Sequence, residues 1–263
     1  MKDELQKPLL TIGVLTMNEA HRIAVCLQSA SFADQVIVVD SGSTDDTVSI
    51  ARQMGAEVFS YPDWQGFAVQ RNRLLQHAKG KYIFFLDADE VINDSCRKEI
   101  EAVTQSGEDA VWKIKWRIVA FGHELKYLKS TAYVERLFLR DNIKEFQGVV
   151  HEKAHLRNPH VKRYLIKNAV LHSSRECIQS SLNKMTQYVM LGALKRSEQG
   201  KKGGVCRGLL SGFTIFFRLY FLHRGFMCGG AGFLYAIFHA LEAFFRYAAL
   251  EYDRDSLKFF AKR

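Results

Sequence analysis

The chain has 263 residues and is 48% hydrophobic, enough for one large domain or for one domain with an appendage. Its five cysteines are scattered without a C-x-x-C pair, which argues against a disulfide framework or a zinc site and favours a reducing compartment. The net charge of +9 is unevenly spread. Residues 1–150 hold 18 Lys and Arg against 21 Asp and Glu, a net of −3, whereas residues 151–263 hold 19 against 7, a net of +12. A basic C-terminal part favours a polyanionic partner: nucleic acid, anionic lipid or a phosphorylated substrate.

Residues 9–105 alternate short apolar runs, rich in β-branched side chains, with helical patterns. This pattern predicts strands at 9–15, 36–40, 57–60 and 81–86, and helices at 19–30, 44–54, 67–78 and 94–105. Near-continuous apolar strands joined by helical crossovers are typical of a parallel sheet covered on both faces. No apolar segment precedes the first strand, so the sequence predicts no signal peptide and a cytoplasmic site of action.

The pattern changes after residue 110. Residues 110–119 alternate apolar and basic side chains, which predicts a half-exposed strand of a mixed or antiparallel sheet, and residues 133–140 and 161–171 are similar. From residue 174 onward the pattern is helical. We therefore expect an α/β domain over residues 1–173 and a helical, basic and apolar region over residues 174–263.

The segment 205–250 is strongly apolar and aromatic, with isolated arginines. Seventeen uncharged residues lie between Arg224 and Glu242, but they include Gly229, Gly230, Gly232 and His239, and a membrane-spanning helix needs roughly 20 apolar residues. Apolar faces with basic residues that extend to the water are typical of helices lying in a membrane interface. We favour that interpretation over a buried helical subdomain and over a spanning helix.

Polar clusters follow three of the predicted strands, at residues 16–19, 40–43 and 87–89. Ligands of such sheets bind outside the carboxyl ends of the strands, so these clusters predict one site. Asp87 and Asp89 come directly after a buried strand, where a divalent cation carrying a diphosphate would satisfy their charge. The alternative is a solvated turn at the end of the strand.

Four motifs agree in order and spacing with one family: T-x-N-E at 16–19, V-V-D-S-G-S-T-D at 38–45, Q-R-N at 70–72 and F-L-D-A-D at 85–89. Over residues 9–95 the chain resembles the family 2 glycosyltransferases, inverting enzymes of the GT-A fold that use nucleotide-activated sugars. Residues 136–140 and 148–152 and the C-terminal tail resemble, more loosely, bacterial lipopolysaccharide core β-1,4-glucosyltransferases. The resemblance implies a GT-A-type, Rossmann-like, mainly parallel sheet flanked by helices, followed by a membrane-associating helical region.

The resemblance also implies a nucleotide pocket. Thr16, Asn18 and Glu19 would line it, and Ser43 belongs to the same set. Asp40 would accept a hydrogen bond from the uracil imide N–H, as a carboxylate can. The alternative for Asp40 is a cap on the turn that follows it.

The diphosphate and metal positions follow in the same way. Arg71 would bind the nucleotide or its diphosphate, unless it is a surface charge of its helix. Asp87 and Ala88 would face the ribose, with Asp87 also near the metal, and Asp89 would ligate Mn²⁺ or Mg²⁺. His172, after the last predicted strand, would be a third ligand or else a hydrogen-bonded surface residue.

Inverting transfer needs a general base for the acceptor hydroxyl. The family's Glu-Asp type of pair is missing here, and Glu152 stands about where it would fall. Glu152 is the first choice, His151 a neighbour, and Glu135 and Asp141 are reserves.

Other classes of protein are disfavoured by missing motifs. The first strand is followed by no G-x-G-x-x-G of a dinucleotide-binding oxidoreductase and no Gly-rich loop of a nucleotidyltransferase, and the chain has no P-loop. A nucleic-acid-binding module is disfavoured because the aromatic residues of the basic part lie in apolar helical segments. The expected partners are a UDP-hexose, with glucose implied, a lipopolysaccharide core or other glycolipid acceptor, and the anionic surface of the inner membrane on its cytoplasmic face. A non-enzymatic alternative is an anionic-membrane-binding module with a degenerate nucleotide site.

Overall fold

A computed structural model gives the structure of residues 8–129, 133–148, 152–254 and 257. The strands in chain order are β1 Leu10–Thr16, β2 Gln35–Asp40, β3 Glu57–Ser60, β4 Tyr82–Asp87, β5 Glu90–Val91, β6 Ala110–Ala120, β7 His123–Glu124, β8 Tyr133–Leu139, β9 Ile143–Gln147, β10 Lys153–Leu156, β11 Lys162–Leu165 and β12 Val170–Arg175. The α-helices are α1 Ile23–Ala30, α2 Thr47–Gln53, α3 Phe67–His77, α4 Asp94–Ser106, α5 Ile178–Glu198, α6 Val205–Phe217 and α7 Gly229–Tyr252.

The main sheet has the strand order β3-β2-β1-β4-β8-β6-β12-β5, with β7 and β11 paired to β6. Strands β3, β2, β1 and β4 are mutually parallel, and β8 is antiparallel to both β4 and β6. Strands β9 and β10 form a separate antiparallel pair. The predicted mixed, mainly parallel sheet with flanking helices is therefore confirmed.

The core lies around β1 and β4. Nearly every residue of these two strands is buried, so both faces of the sheet are covered at its centre. Gly13 of β1 is one reason that α3 packs closely here, since a Cβ atom at this position would lie 2.2 Å from the side chain of Leu74. Because β1, β2 and β4 are parallel, their carboxyl ends lie at the same edge of the sheet. Thr16 is paired with Asp40 in the register of β1 and β2.

Several predicted elements differ from the structure, and among them the helix expected from residue 19 begins at Ile23. The single strand expected at 161–171 is two strands, β11 and β12, because the backbone N–H groups of Lys167 and Asn168 donate to the carboxylate of Glu99. The helix expected from residue 44 begins at Thr47, because the Asp45 carboxylate accepts the Thr47 N–H and holds the preceding loop.

The chain divides into two compact units. The first comprises the chain up to Trp116 together with Thr131–His172, and the second comprises Arg117–Ser130 and the chain from Ser173 onward. The second unit thus takes a segment from the middle of the chain in addition to the helical C-terminal region. The boundary expected at residue 173 lies at the division after His172. The division after Trp116 was not predicted.

In the second unit α7 packs against both α5 and α6. Gly208 and Gly212 of α6 permit close packing, because a Cβ atom on either would lie under 3 Å from a carbonyl oxygen of α7. The glycines at the start of α7 do not interrupt it. A Cβ on Gly232 would lie 2.1 Å from the carbonyl oxygen of Gly225, so that glycine serves packing, and α7 runs for 24 residues.

Candidate functional site

Two cavities of the first unit meet at the carboxyl end of β4, and both are lined by Asp87 and Trp116. The β1 cavity is about 650 Å³ and also contains Thr16, Asp89 and His172 on its wall. The β10 cavity is also about 650 Å³. Its lining includes the side chains of Arg71, Arg136, Phe146, Glu152 and Arg163. Both volumes lie in the range of small-molecule sites.

Asp87 is held by two arginines. Arg136 Nη2 donates to Asp87 Oδ2, and Arg71 Nη2 lies 3.4 Å from Asp87 Oδ1. The same Arg136 nitrogen donates to Glu90 Oε1 at 2.7 Å, and the Asp87 backbone N–H donates to Glu90 Oε2 at 3.0 Å. Trp116 Nε1 donates to Glu90 as well. The result is a buried charged network at the wall between the two cavities.

This network separates the two carboxyl groups in acidity. Burial opposes ionisation of Asp87, but the charges of Arg136 and Arg71 outweigh it and hold its pKa well below the usual range. Burial raises the pKa of Glu90 to about 7, against the opposing charge of Arg136. Asp87 therefore carries the negative charge that fixes both arginines.

Asp89 points to a different partner. Its Oδ2 lies 3.4 Å from Nε2 of His172, and each side chain is 24% exposed. Burial disfavours protonation of His172, but its hydrogen bond to Asp89 and the nearby carboxylates raise its pKa. His172 also stacks obliquely on Trp116, with ring centroids 5.1 Å apart, and its Nδ1 is buried with no hydrogen-bond partner among the described residues.

The donor set is suited to a cation that shares its coordination with a substrate. Asp89 supplies carboxylate oxygens and His172 a ring nitrogen, and Mg²⁺-type ions commonly take one or two protein ligands plus phosphates. The described residues contain no group of three or more His, Cys, Asp or Glu that could hold a metal alone. Asp87 was expected as a further ligand; its oxygens accept hydrogen bonds from Arg71 and Arg136, and its part in the metal site stays a prediction.

Arg71 joins the two cavities. Its Nε donates to Glu152 Oε1 at 2.9 Å, and its guanidinium lies over the rings of Phe85 and Phe146 at 5.3 and 5.9 Å. Arg71 is 7% exposed, so the alternative of a surface charge on its helix is excluded. Glu152, expected as the general base, is thereby fixed beside Asp87 at the wall of the β10 cavity.

The loop after β1 is organised by hydrogen bonds to the loop after β2. Asn18 has a positive φ of 55°, its N–H donates to Ser43 Oγ, and its Oδ1 accepts from the Thr44 N–H. Glu19 is ion-paired with Arg22 while its N–H donates to Thr47.

Thr16, the last residue of β1, differs from the residues of the loop that follows it. Its hydroxyl is buried and has no hydrogen-bond partner within the described part of the chain. An unpaired buried hydroxyl on a cavity wall is suited to a polar ligand.

Asp40 forms the cap on the following turn that was expected as the alternative to a contact with uracil. Its carboxylate accepts from the N–H groups of Gly42 and Ser43 and from the Ser43 hydroxyl, so it caps the turn after β2. Asp40 is 2% exposed and does not line the β1 cavity as its neighbour Ser41 does. Ala88 is buried between the two aspartates and contributes to that wall.

The other candidate bases are placed less favourably. Glu135 lies in the β10 cavity but is ion-paired with Arg163 and Lys113. Asp141 has a side chain that is 79% exposed and pairs with Arg140. His151 lies outside the described residues.

Sequence reasoning did not foresee the parts played by Arg136, Glu90 and Trp116. Arg136 is 2% exposed, and its Nε and Nη1 are buried without partners in the described residues. The signal was present, because a single arginine inside the apolar run of β8 requires a buried counter-ion. Trp116 lies inside the alternating pattern of residues 110–119, which predicted only a half-exposed strand.

Comparisons with known proteins identify the family of the chain. The pattern described as glycosyl transferase family 2 matches residues 11–163. An uncharacterized glycosyltransferase of Rickettsia felis is 31% identical over 93% of this chain and 89% of its own length. The lipopolysaccharide core biosynthesis glycosyltransferase LpsC of Rhizobium meliloti is 26% identical over 95% of this chain and 94% of its own.

Among solved structures, that of S. aureus TarS 1-349 in complex with UDP-GlcNAc is 18% identical, covers 96% of this chain and 87% of that chain, and has a TM-score of 0.47. The family match spans more than half of the chain and includes all four motifs, and the sheet is the mainly parallel type expected for GT-A enzymes. The chain belongs to glycosyl transferase family 2.

Proposed function

We propose that the protein is an inverting glycosyltransferase. It transfers a hexose from a UDP-sugar to a lipopolysaccharide inner-core or related glycolipid acceptor, and the hexose that we propose is glucose. The observation that carries this proposal is the shared wall at Asp87. On one side of it lie the unpaired Thr16 hydroxyl, Asp89 and His172, and on the other lies Glu152. The acceptor hydroxyl and the departing UDP can thus lie on opposite sides of the anomeric carbon of the donor, as inversion requires.

The donor occupies the β1 cavity. Thr16 and Ser41 offer hydroxyls to the nucleoside, and Trp64 and Phe67 give that cavity an apolar, aromatic side. Asn18, Glu19, Asp40 and Ser43 hold the two loops around it rather than offering free polar groups.

Asp89 and His172 hold Mn²⁺ or Mg²⁺ at the diphosphate. The bound cation supplies Lewis-acid stabilisation of the negative charge on the departing UDP. Arg71, which the network keeps at the wall, adds a fixed positive charge close to the same diphosphate. Asp87 orients Arg71 and Arg136.

The acceptor occupies the β10 cavity. Glu152 takes the proton of the acceptor hydroxyl as its oxygen attacks the anomeric carbon. The new oxygen–carbon bond forms on the face opposite the diphosphate, and the old bond breaks with its electron pair leaving on UDP. Arg71 holds the Glu152 carboxylate in place at 2.9 Å.

The acceptor class rests on a relative. The rhizobial protein that is 26% identical over 95% of this chain carries the name lipopolysaccharide core biosynthesis glycosyltransferase. Because that likeness extends over both units, it includes the C-terminal helices as well as the catalytic part. A transferase of another lipid-linked or polysaccharide acceptor is the alternative.

The test is transfer itself. Purified protein, Mn²⁺ and radiolabelled UDP-glucose are incubated with deacylated inner-core oligosaccharide, and UDP-galactose and UDP-N-acetylglucosamine are run in parallel. We expect labelled product from UDP-glucose with a β linkage by NMR coupling constant. Product with an α linkage contradicts the inverting mechanism, and a total lack of UDP binding by calorimetry contradicts the donor class.

We further propose that the second unit holds the enzyme on the cytoplasmic face of the inner membrane. By length and composition alone, the segments Val205–Leu222 and Gly225–Tyr252 could cross a bilayer. Only 11% and 33% of their apolar windows are buried inside the unit. Leu210 and Phe213 of α6 are 69% and 67% exposed. Such a face, in a basic part of the chain, is suited to an anionic interface.

Replacing Leu210 and Phe213 together by glutamate should weaken binding to phosphatidylglycerol vesicles by at least about tenfold, because two large apolar side chains no longer enter the interface. Cosedimentation measures it. The matched control is the pair Val25→Glu and Met54→Glu, two exposed apolar residues of the first unit. Unchanged sedimentation of the α6 variant would show that this face does not meet lipid.

A further inference from the structure

The charged residues at the β10 cavity fall into two sets. In the first set the two arginines, Arg71 and Arg136, are ion-paired with Asp87, Glu90 and Glu152. This set therefore adds no surplus positive charge to the cavity.

The other charged lining residues have a surplus of positive charge. They are the cations Lys113, Lys153 and Arg163 and the carboxylate of Glu135. Glu135 Oε1 lies 3.0 Å from Arg163 Nε and 4.0 Å from Lys113 Nζ. Three cations and one carboxylate among these lining residues give a net charge of +2.

The strands fix this arrangement. Lys113 of β6 is opposite Glu135 of β8 in the antiparallel register and opposite Leu165 of β11 in the parallel register. Lys153 begins β10, directly after Glu152 in the chain. The surplus charge is therefore built on paired strands and lies within one cavity with the proposed general base.

We infer that these cationic lining residues bind a phosphate or a carboxylate group on the acceptor sugar. This inference rests on the proposed function, because it assigns the β10 cavity to the acceptor. An anion there forms charge-assisted hydrogen bonds with Lys113, Lys153 and Arg163 and restores neutrality. A neutral sugar leaves the two positive charges uncompensated, so the anion selects the acceptor and places its hydroxyl at Glu152.

The experiment compares three sugars of one ring type: glucose, glucose 6-phosphate and glucuronate. Their affinities are measured by NMR titration of the full chain, with UDP and Mn²⁺ present to occupy the β1 cavity and again without them. We expect at least one charged sugar to bind ten times more tightly than glucose. Which of the two binds more tightly separates a phosphate from a carboxylate.

Variants locate the effect. Lys113→Gln with Lys153→Gln should bring the charged-to-neutral ratio close to one, whereas Glu135→Gln should increase it by removing the shared counter-ion. The matched control is Lys184→Gln with Lys195→Gln on α5, which changes the net charge equally but lies in the second unit.

Two results overturn the inference. One is equal affinity of the native protein for all three sugars, and the other is a ratio that the Lys113 and Lys153 changes leave intact. Failure to bind UDP, with the sugar preference and its loss in the lysine variant both preserved, would instead overturn the proposed function alone. The two failures are therefore distinguishable.

Discussion

Replacing Glu152 by glutamine should lower the turnover number for transfer by about 10²–10⁴-fold, the usual contribution of a general base, and leave UDP affinity unchanged. The glutamine oxygen can still accept the hydrogen bond from Arg71 Nε, so the wall of the cavity keeps its shape. What is lost is the group that takes the acceptor proton. The measurement is kcat from release of UDP, with calorimetry for UDP.

Two matched variants make this test specific. Asp141→Asn removes an exposed carboxylate that pairs with Arg140 and should leave kcat near the native value. Glu135→Gln alters the β10 cavity and should act mainly on the KM for the acceptor. Native turnover in Glu152→Gln together with a large loss in Glu135→Gln would transfer the role of base to Glu135.

The architecture of the first unit could be predicted because its signals are local. The strand and helix periods of residues 9–105, and the rule that ligands bind at the carboxyl ends of parallel strands, place Thr16 and Asp89 at one edge. The structure places both on the wall of one cavity. Neither step needs knowledge of contacts between distant residues.

The charged network could not be predicted in the same way, because its contacts are long-range. Arg71 and Glu152 are 81 residues apart in the sequence, and Arg136 and Asp87 are 49 apart. Sequence periodicity carries no information on which buried charges become partners. A buried arginine in β8 indicates that a counter-ion is present, but only the fold identifies Asp87 and Glu90 as its partners.

The second unit illustrates a different limit of periodicity. Glycines at the start of α7 were interpreted as interruptions, although the helix is continuous and Gly232 allows close packing against Gly225. Glu242 of α7 forms a buried ion pair with Arg175 at 2.6 Å. A carboxylate in an apolar helix was therefore a sign of a buried partner, and not simply the end of an uncharged stretch.

Replacing Asp89 by asparagine should abolish transfer and remove the Mn²⁺ dependence of UDP binding, while thermal stability stays close to native. The reason is that, within the described part of the chain, Asp89 makes one long contact, at 3.4 Å to His172, and its carboxylate lies on the cavity wall, where a cation can reach it. Calorimetry of UDP with and without Mn²⁺ and a thermal melt measure the two effects. Asp94→Asn, an exposed aspartate of α4, is the matched control.

The neighbouring aspartate should behave differently, and this contrast makes the prediction sharp. Asp87→Asn removes the charge that holds Arg71 and Arg136, so it should lower the free energy of unfolding by about 1–3 kcal/mol, the cost of leaving a buried polar group without its partner. If Asp87→Asn instead keeps native stability and loses only the Mn²⁺ effect, Asp87 is the principal cation ligand. If Asp89→Asn keeps metal-dependent UDP binding, the assignment of Asp89 is wrong. The two carboxylates of one short motif are thus separated by their surroundings: one stabilises the wall between the cavities, and the other is left to the ligand.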